Sequence, residues 1–219
     1  MRGKRVRGVS KCRTKGATRG VYHGNKGKAR GTDIHARLSA CVNNGSKTSA
    51  NKAVDCILAY LATLGLRPSK KGADFCVLNE TTNCGGPIDL VCERIDPSTG
   101  DSVPVIIELK TTAKTLEEHD ATYKTPDNPN VPHIFQEHFK YMVENTEYNR
   151  HMNQLIKYLA LYGHSQRLPT NTLVEGMVVV LCIKQYRLRH YPFRLRYIPG
   201  AGFNEPPKTH GRRTREKST

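Results

Sequence analysis

The stretch Val103–Thr112, with the sequence V-P-V-I-I-E-L-K-T-T, constrains the fold more than any other part of the chain. An apolar run that ends in a charged segment predicts a buried β-strand that brings charged side chains to one place. Because side chains alternate along a strand, Glu108 and Lys110 should share one face, with Leu109 on the other. A buried charge is costly unless it is paired, metal-bound or solvated. We therefore expect this strand to lie in a sheet and its two charges to have a partner nearby.

The length of 219 residues suits one well-cored domain with extensions. No apolar run approaches the roughly 20 residues that span a bilayer, and the N-terminus has no secretory apolar segment. We therefore expect an intracellular protein without a membrane partner. The seven cysteines are scattered, with no C-x-x-C pair and no tight Cys/His cluster. This pattern argues against zinc, against an iron–sulfur cluster and against a disulfide framework, and it favours buried free thiols.

Positive charge is concentrated at the two ends of the chain. Of the formal net charge of +16, residues 1–32 contribute eleven Lys or Arg and no Asp or Glu, and residues 206–219 contribute five basic residues and one acidic residue. Residues 33–205 hold nineteen basic and eighteen acidic residues, so the core is nearly neutral. Basic arms on a neutral core suit a polyanion such as nucleic acid, because each neutralised phosphate releases counterions. A solubilising or targeting tail is the alternative.

The composition of the two ends predicts a basic arm over residues 1–30 that is disordered until bound, and a flexible basic tail over residues 201–219. The folded domain is expected over residues 31–200. The arm lacks the amphipathic apolar face of a mitochondrial transit peptide, so we expect the nucleus, or the host nucleus for a viral protein, over the mitochondrion. The basic residues of the two ends that we expect to contact nucleic acid are Arg2, Lys4, Arg5, Arg7, Arg212 and Arg213.

Between the ends, hydrophobic periodicity predicts an α/β succession. The predicted elements are a helix from Thr32 as N-cap to about Asn44, a helix from about Lys47 to Leu64, strands Phe75–Leu78, Pro87–Ile95 and Val103–Thr112, a loop over residues 113–131, helices His133–Glu144 and Tyr148–Tyr162, and a strand Leu173–Ile183. The basic, aromatic segment that follows could be an edge strand or a surface for a strand of nucleic acid. The residues of that segment which we expect to contact nucleic acid are Lys184, Arg187 and Arg189.

Asp89 supplies the partner expected for Glu108, because it lies on the strand that should pair with Val105–Lys110. Two carboxylates can hold one or two Mg²⁺ ions, with the Leu109 carbonyl and waters completing the shell. Lys110 can then orient or deprotonate a water that attacks a phosphodiester, and offset the phosphate charge. An ordinary cross-strand ion pair is the alternative reading of these residues.

These residues carry a resemblance to a known family. Pro87-Ile88-Asp89, a variable hairpin and Glu108-Leu109-Lys110 resemble the PD-(D/E)XK nuclease superfamily. Gly31-Thr32-Asp33-Ile34-His35 looks like the Gly-x-x-x-His start of its RecB-like and lambda-exonuclease-like branch, and Gln154-Leu155-Ile156-Lys157-Tyr158 is similar to that branch's Gln-x-x-x-Tyr helix. The resemblance covers about residues 31–185. It implies a restriction-endonuclease-like core, with a central mixed sheet flanked by helices in the order αβββαβ.

For the site, the resemblance implies that His35 adds a metal ligand, that Glu80 acts on a ligating water, and that Gln154 and Tyr158 position Lys110 or a backbone phosphate. Each residue has a simpler reading. His35 could be an ordinary helix-start histidine, Gln154 and Tyr158 could be solvent-facing and packing residues, and Glu80 could be a turn residue.

For activity, the resemblance implies a Mg²⁺- or Mn²⁺-dependent deoxyribonuclease, with an exonuclease favoured over an endonuclease, acting in DNA recombination, repair or genome processing. RNA as substrate, a homo-oligomer and a recombination partner protein stay open. The cysteine pattern of iron–sulfur members and the helicase motif Gly-x-x-x-x-Gly-Lys-Ser/Thr are missing, which implies a stand-alone nuclease. The alternatives are a non-catalytic nucleic-acid-binding protein on a nuclease scaffold and a structure-specific endonuclease.

Overall fold

A mixed β-sheet forms the centre of the protein. The computed structural model describes residues 7–8, 25–46, 49–80, 84–123 and 147–199. Within these residues the strands are β1 (Arg7–Gly8), β2 (Arg67–Asn79), β3 (Cys84–Ile95), β4 (Ser102–Thr112), β5 (Leu173–Cys182) and β6 (Arg187–Arg196). The five long strands lie in the order β2-β3-β4-β5-β6, and β1 pairs with the start of β3. Strands β4 and β5 are parallel, whereas the other long neighbours are antiparallel.

Helices cover both faces of this sheet, which confirms the predicted α/β class and the succession of helix, three strands, helix and strand. The described helices are α1 (Asn25–Asn43), α2 (Lys52–Thr63), α3 (Leu116–Thr122) and α4 (Glu147–Ser165). One core joins α1 and α2 to one face of the sheet, and a second core joins α4 to the other face. None of these helices is long and apolar enough to cross a membrane.

Strand β4 is buried on both faces, as its apolar sequence predicts for a central strand covered by helices. Ile107 and Leu109 belong to the core under α1 and α2, whereas Ile106 belongs to the core under α4. On the neighbouring strand, a Cβ atom added to Gly176 would lie 2.8 Å from the Ile106 carbonyl oxygen and 2.9 Å from Leu155 Cδ1. Glycine at this position therefore lets α4 lie close against the sheet.

The start of α1 differs from the prediction. The helix begins at Asn25, so the N-cap predicted at Thr32 is wrong and Thr32 lies inside the helix. Lys, Ala and Arg, which are common in residues 26–30, are good helix formers and extend it. Residues 25–30 of the predicted arm accordingly lie in α1, and Arg7 and Gly8 lie in β1. The remainder of that arm, the tail over residues 201–219 and the predicted helix His133–Glu144 lie outside the described residues.

Helix α3 lies in a segment for which we predicted a loop. Its N-terminus is a capping box: Thr115 Oγ1 accepts from the Glu118 amide at 3.2 Å, and Glu118 Oε2 accepts from the Thr115 amide at 2.8 Å. The pattern T-x-x-E ahead of a helix is a sequence signal for this motif, but the polar residues around it favour the prediction of a loop. The helix packs through Leu116 and His119, which are both buried.

The two edge strands, β2 and β6, also bear on the sequence predictions. Strand β2 begins at Arg67 instead of Phe75, and the segment after the β5–β6 turn is a regular edge strand, which was one of its two predicted forms. β2 pairs with β3 almost along its whole length, with an irregular register between Pro68 and Ala73. The polar, lysine-containing sequence at the start of β2 conceals the strand because an edge strand does not need an apolar alternation.

Candidate active site

The candidate site lies where β3 and β4 separate. Their antiparallel pairing runs from Ile95 opposite Ser102 to Leu90 opposite Ile107, and β4 then continues beside β5. Asp89 is the first residue of β3 beyond the last pair. Its Oδ2 accepts a hydrogen bond from the Leu109 amide at 2.8 Å. The Asp89 side chain therefore satisfies a backbone donor of β4 near the end of the paired segment, and this bond fixes the carboxylate at the fork.

The alternation of side chains on β3 is interrupted at Asp89. Residues two apart on a regular strand share a face. Ile88 belongs to the core under α4, however, and Leu90 belongs to the core under α1 and α2. On the paired strand, Asp74 lies opposite this point and has a φ of 51°, a left-handed conformation that is uncommon for residues other than glycine. The irregularity occurs at the residue whose carboxylate turns to β4.

Glu108 and Lys110 share the face of β4 that is covered by α4, as their spacing predicts. The Lys110 ammonium contacts Glu108 Oε1 directly, and it donates to Gln154 Oε1 of α4 at 3.3 Å. The Glu108 side chain is only 1% exposed, and its second oxygen, Oε2, is buried without a hydrogen-bond partner. A buried carboxylate oxygen without a donor is unusual in a purely structural ion pair, because its desolvation is then uncompensated.

His35 reaches the fork from α1. Its Nδ1 lies 3.3 Å from Asp89 Oδ1, so the two Asp89 oxygens have different partners. Gly31 lies one helical turn earlier, on the same side of α1. A Cβ atom there would lie 2.8 Å from Thr111 Oγ1 of β4. The glycine of the Gly-x-x-x-His pattern therefore allows the close approach between helix and strand that brings His35 to Asp89.

Burial and neighbouring charge set the protonation of this cluster. Burial raises the pKa of Glu108 to about 7, the nearby Asp89 charge adds to the rise, and Lys110 opposes it. For His35, burial lowers the pKa, but the hydrogen bond and charge of Asp89 outweigh it, so the net pKa is raised. Near pH 7 the cluster thus combines a carboxyl group that can gain or lose a proton with an imidazole whose charged form is stabilised by Asp89.

Tyr158 lies one turn after Gln154 on α4 and is buried. Burial raises the pKa of its phenol, the charges of Glu108 and Asp89 raise it further, and a hydrogen bond with Gln154 opposes the rise. The phenol therefore stays neutral and keeps its proton for donation. The structure thus brings together His35, Asp89, Glu108, Lys110, Gln154 and Tyr158, which come from two helices and two strands.

Glu80 is not brought to this cluster. It follows the end of β2 and is exposed, at the end of the hairpin where Asn79 pairs with Cys84. Asp89 lies five positions after Cys84 on β3, which corresponds to about 16 Å along a strand. Glu80 therefore lies in a turn, which is the simpler of its two interpretations.

The predicted nucleic-acid contacts differ in their surroundings. Arg187 lies 3.3 Å from Glu117, and Arg189 lies 2.8 Å from Asp120, so α3 provides a carboxylate for each. Lys184 is exposed in the β5–β6 turn. Arg7 belongs to β1, whose backbone pairs with Cys84 and Gly85. The other predicted contacts, Arg2, Lys4, Arg5, Arg212 and Arg213, lie outside the described residues.

A group of aromatic and histidine side chains beside the cluster was not predicted. His151 Nδ1 lies 3.0 Å from the Tyr123 hydroxyl, and His119 Nε2 lies 3.0 Å from the Tyr191 hydroxyl. Burial lowers the pKa of His151 to about 2, with Lys110 adding to the effect, so this imidazole is neutral. The spacing of His151 three residues before Gln154 was an available signal, because such residues share a helix face. The other members come from α3 and β6, and no local pattern joins them.

The donor atoms at the fork suit a hard divalent cation such as Mg²⁺ or Mn²⁺, which prefers carboxylate and carbonyl oxygens. The unpartnered Oε2 of Glu108 and the mutual repulsion of Glu108 and Asp89 both fit a cation between them. Among the described residues, no three His, Cys, Asp or Glu side chains already converge as a metal-binding group. Lys110 contacts Oε1 of Glu108, and His35 contacts Oδ1 of Asp89. Oε2 of Glu108 is therefore the oxygen of this carboxylate that is left open to a cation.

Comparison with known proteins adds no relative. The sequence matches no protein-family model, and no curated protein is significantly similar to it. The chemistry of the site therefore follows from its own atoms and from the sequence motifs.

Proposed function

We propose that the protein is a Mg²⁺- or Mn²⁺-dependent nuclease that hydrolyses phosphodiester bonds in DNA, with an exonuclease favoured over an endonuclease. The observation that carries the proposal is the meeting of Asp89 and Glu108 at the strand fork, with Lys110 against one Glu108 oxygen and no donor for the other. The motifs of the PD-(D/E)XK resemblance fall on these same residues. The preference for an exonuclease rests on that resemblance alone.

In this proposal Asp89 and Glu108 hold the cation through their carboxylate oxygens, and the Leu109 carbonyl and His35 are further ligands. The Leu109 amide keeps Asp89 Oδ2 in place, so the carboxylate is oriented before the substrate arrives. A bound divalent cation would neutralise negative charge that develops on the phosphate oxygens and would lower the pKa of a water molecule beside them.

Lys110 is the group we assign to the attacking water. Its ammonium lies between Glu108 and Gln154, and both neighbours are acceptors that fix its position. When the cation occupies Glu108, Lys110 is free to donate to the water or to a phosphate oxygen. Tyr158, held neutral by its surroundings, supports Gln154 through their hydrogen bond. Gln154 and Tyr158 are accordingly positioning residues for Lys110.

A structural ion pair is the competing explanation for Glu108 and Lys110. In such a pair the surrounding groups would satisfy both carboxylate oxygens, because an uncompensated buried oxygen costs about 1–3 kcal/mol. A cation at Oε2 of Glu108 removes that cost. The metal hypothesis therefore accounts for the burial of Glu108 and for its unpartnered oxygen together.

The test is digestion of linear and covalently closed circular DNA by the full chain in Mg²⁺, Mn²⁺ or EDTA. Glu108→Gln and Lys110→Met are the site variants. Glu93→Gln is the matched control, since Glu93 is an exposed carboxylate on β3. We expect metal-dependent cleavage by the wild type and the control, and a loss of at least 100-fold in both site variants, of the order that removal of one transition-state contact causes. Resistance of the circle would support an exonuclease.

Three results decide between the hypotheses. The nuclease proposal is contradicted if the wild type cleaves in neither metal, or if both site variants cleave as fast as the wild type. DNA binding by the wild type without cleavage supports the non-catalytic binding protein instead. Cleavage of the circle replaces the exonuclease with an endonuclease, and an RNA substrate in the same assay tests the choice of DNA.

A further inference from the structure

A second basic feature lies beside the candidate site, at the β5–β6 turn. The N-terminal part of α1, the start of α2 and this turn enclose a cleft of about 400 Å³. The residues that line it are Arg30, Asp33, Ile34, Asn51, Ala53, Ile183, Lys184 and Tyr186. Arg30 and Lys184 are both exposed, so their charged groups are accessible to a ligand.

The cleft has an excess of positive charge. Its one lining carboxylate, Asp33, accepts from Arg37 Nε through both oxygens, at 3.0 and 2.9 Å, so that charge is already compensated. Lys52, at the first position of α2, places its ammonium 4.6 Å from the centre of the Tyr186 ring. This cation–π contact holds a third positive group at the wall of the cleft.

Tyr186 adopts an unusual backbone conformation at this wall. Its φ is 53°, in the left-handed region that a bulky residue rarely occupies and that costs on the order of 1 kcal/mol. A glycine or asparagine would fit the turn at lower cost. The turn thus places a tyrosine ring against Lys52 although a smaller residue would fit its backbone at lower cost.

The cleft and the candidate site lie along one helix. Arg30 precedes His35 by five residues on α1, which corresponds to about 7.5 Å along the helix axis. A strand with a phosphate at Asp89 and Glu108 could thus reach the cleft within a few nucleotides.

The basic surface formed by Arg187 and Arg189 of β6 is less suited to a phosphate backbone. Arg187 and Arg189 each have a carboxylate of α3 as partner. An incoming phosphate would have to displace Glu117 and Asp120, whereas Arg30 and Lys184 face a cleft whose only carboxylate is paired within its own helix.

From these observations we infer that the cleft between α1, α2 and the β5–β6 turn binds the flank of a nucleic-acid strand whose scissile phosphate lies at the fork. Arg30, Lys184 and Lys52 contact successive phosphates, and Tyr186 fixes Lys52. This inference rests on the proposed nuclease function and assigns the path of its substrate to the Lys184 side of β6. The occupant is one phosphodiester strand, either free or as part of a duplex.

The test measures binding of a fluorescein-labelled oligonucleotide by anisotropy, in EDTA, from 50 to 200 mM salt. The full-length wild type is compared with Arg30→Ala/Lys184→Ala and with a control, Arg67→Ala/Lys70→Ala, which removes two exposed charges from β2. For a single strand, the slope of log affinity against log salt should decrease by about 0.7 for each phosphate contact removed. We expect this decrease in the cleft variant, and a smaller one in the control.

With the same probe as a duplex, the slope of log affinity against log salt should decrease by about 0.9 for each phosphate contact removed. A cleft variant whose slope equals that of the wild type for both probes overturns the inference. The inference is also overturned if the slope decreases in Arg187→Ala/Arg189→Ala but not in the cleft variant, since the strand would then follow the Arg187 and Arg189 surface. If the cleft variant has an unchanged slope but still cleaves DNA in the presence of metal, the cleft inference fails and the nuclease proposal stands. If the wild type does not cleave DNA, the nuclease proposal itself fails.

Discussion

At the scale of single residues, Glu108 makes the protein's stability depend on pH. Burial raises its pKa from the ordinary 4.5 to about 7. Between these values the folded protein binds more protons than the unfolded chain, so the free energy of unfolding decreases as pH rises and the loss is complete above pH 7. Glu108→Gln does not titrate. Between pH 5 and 8 in EDTA, we expect the wild type to lose on the order of 2 kcal/mol relative to this variant, measured by urea denaturation.

Glu93→Gln controls for the change of one carboxylate to an amide, because Glu93 is exposed. Its pH profile should follow that of the wild type. Parallel profiles for the wild type and Glu108→Gln would mean that the Glu108 carboxyl is not desolvated in solution. The same pKa predicts that Mn²⁺ binding weakens below pH 7, since a proton then competes for the carboxylate.

A substitution of Gln154 can separate the positioning of Lys110 from an effect on folding. Its Oε1 accepts from Lys110 at 3.3 Å, and the side chain is only half-buried. In Gln154→Ala we expect kcat for DNA cleavage to decrease about 10- to 100-fold with little change in KM, because Lys110 loses an acceptor that orients it. Asn153→Ala, at the preceding position of α4, is the control. A proportional loss of stability and activity in both variants would instead indicate a general effect on the helix.

At the scale of elements, the close contact between α1 and β4 governs whether His35 reaches Asp89. A Cβ atom at position 31 would lie 2.8 Å from Thr111 Oγ1. Alanine also favours the helix by about 1 kcal/mol over glycine, so Gly31→Ala alone combines two opposing effects. A double-mutant cycle with Thr111→Ala isolates the contact. We expect a coupling energy of about 0.5–1 kcal/mol in urea denaturation, with weaker Mn²⁺ binding in Gly31→Ala that Thr111→Ala partly restores.

The elements also differ in how far the sequence could predict them. Strand β4 is predictable because a buried central strand has a continuous apolar run. Strand pairing predicts that Asp89 lies near Glu108, but the direct partner of Glu108 is Lys110 of the same strand. Helix α3 carried a readable signal in Thr115 and Glu118 that its polar context concealed. The interruption at Asp89 and the Tyr123–His151 contact could not be predicted, because they depend on how separate elements meet. Local patterns and the family resemblance therefore singled out residues that the structure brings together, apart from Glu80, whereas tertiary packing determines the partners of each side chain.

At the scale of the whole molecule, the proposed function assigns the gathering of nucleic acid to the basic ends of the chain and its cleavage to the nearly neutral core. Residues 206–219 carry five basic residues and one acidic residue, whereas residues 33–205 are nearly neutral. Truncation after residue 205 should therefore weaken DNA binding at low salt and decrease the slope of log affinity against log salt, by up to about 0.9 for each lost phosphate contact. At saturating DNA, kcat should stay within about twofold of the wild type, because uniform binding does not alter the chemical step. Replacing the five basic residues with glutamine in the full chain controls for length. A large decrease in kcat in either protein would place the C-terminal segment in the active site and contradict this separation.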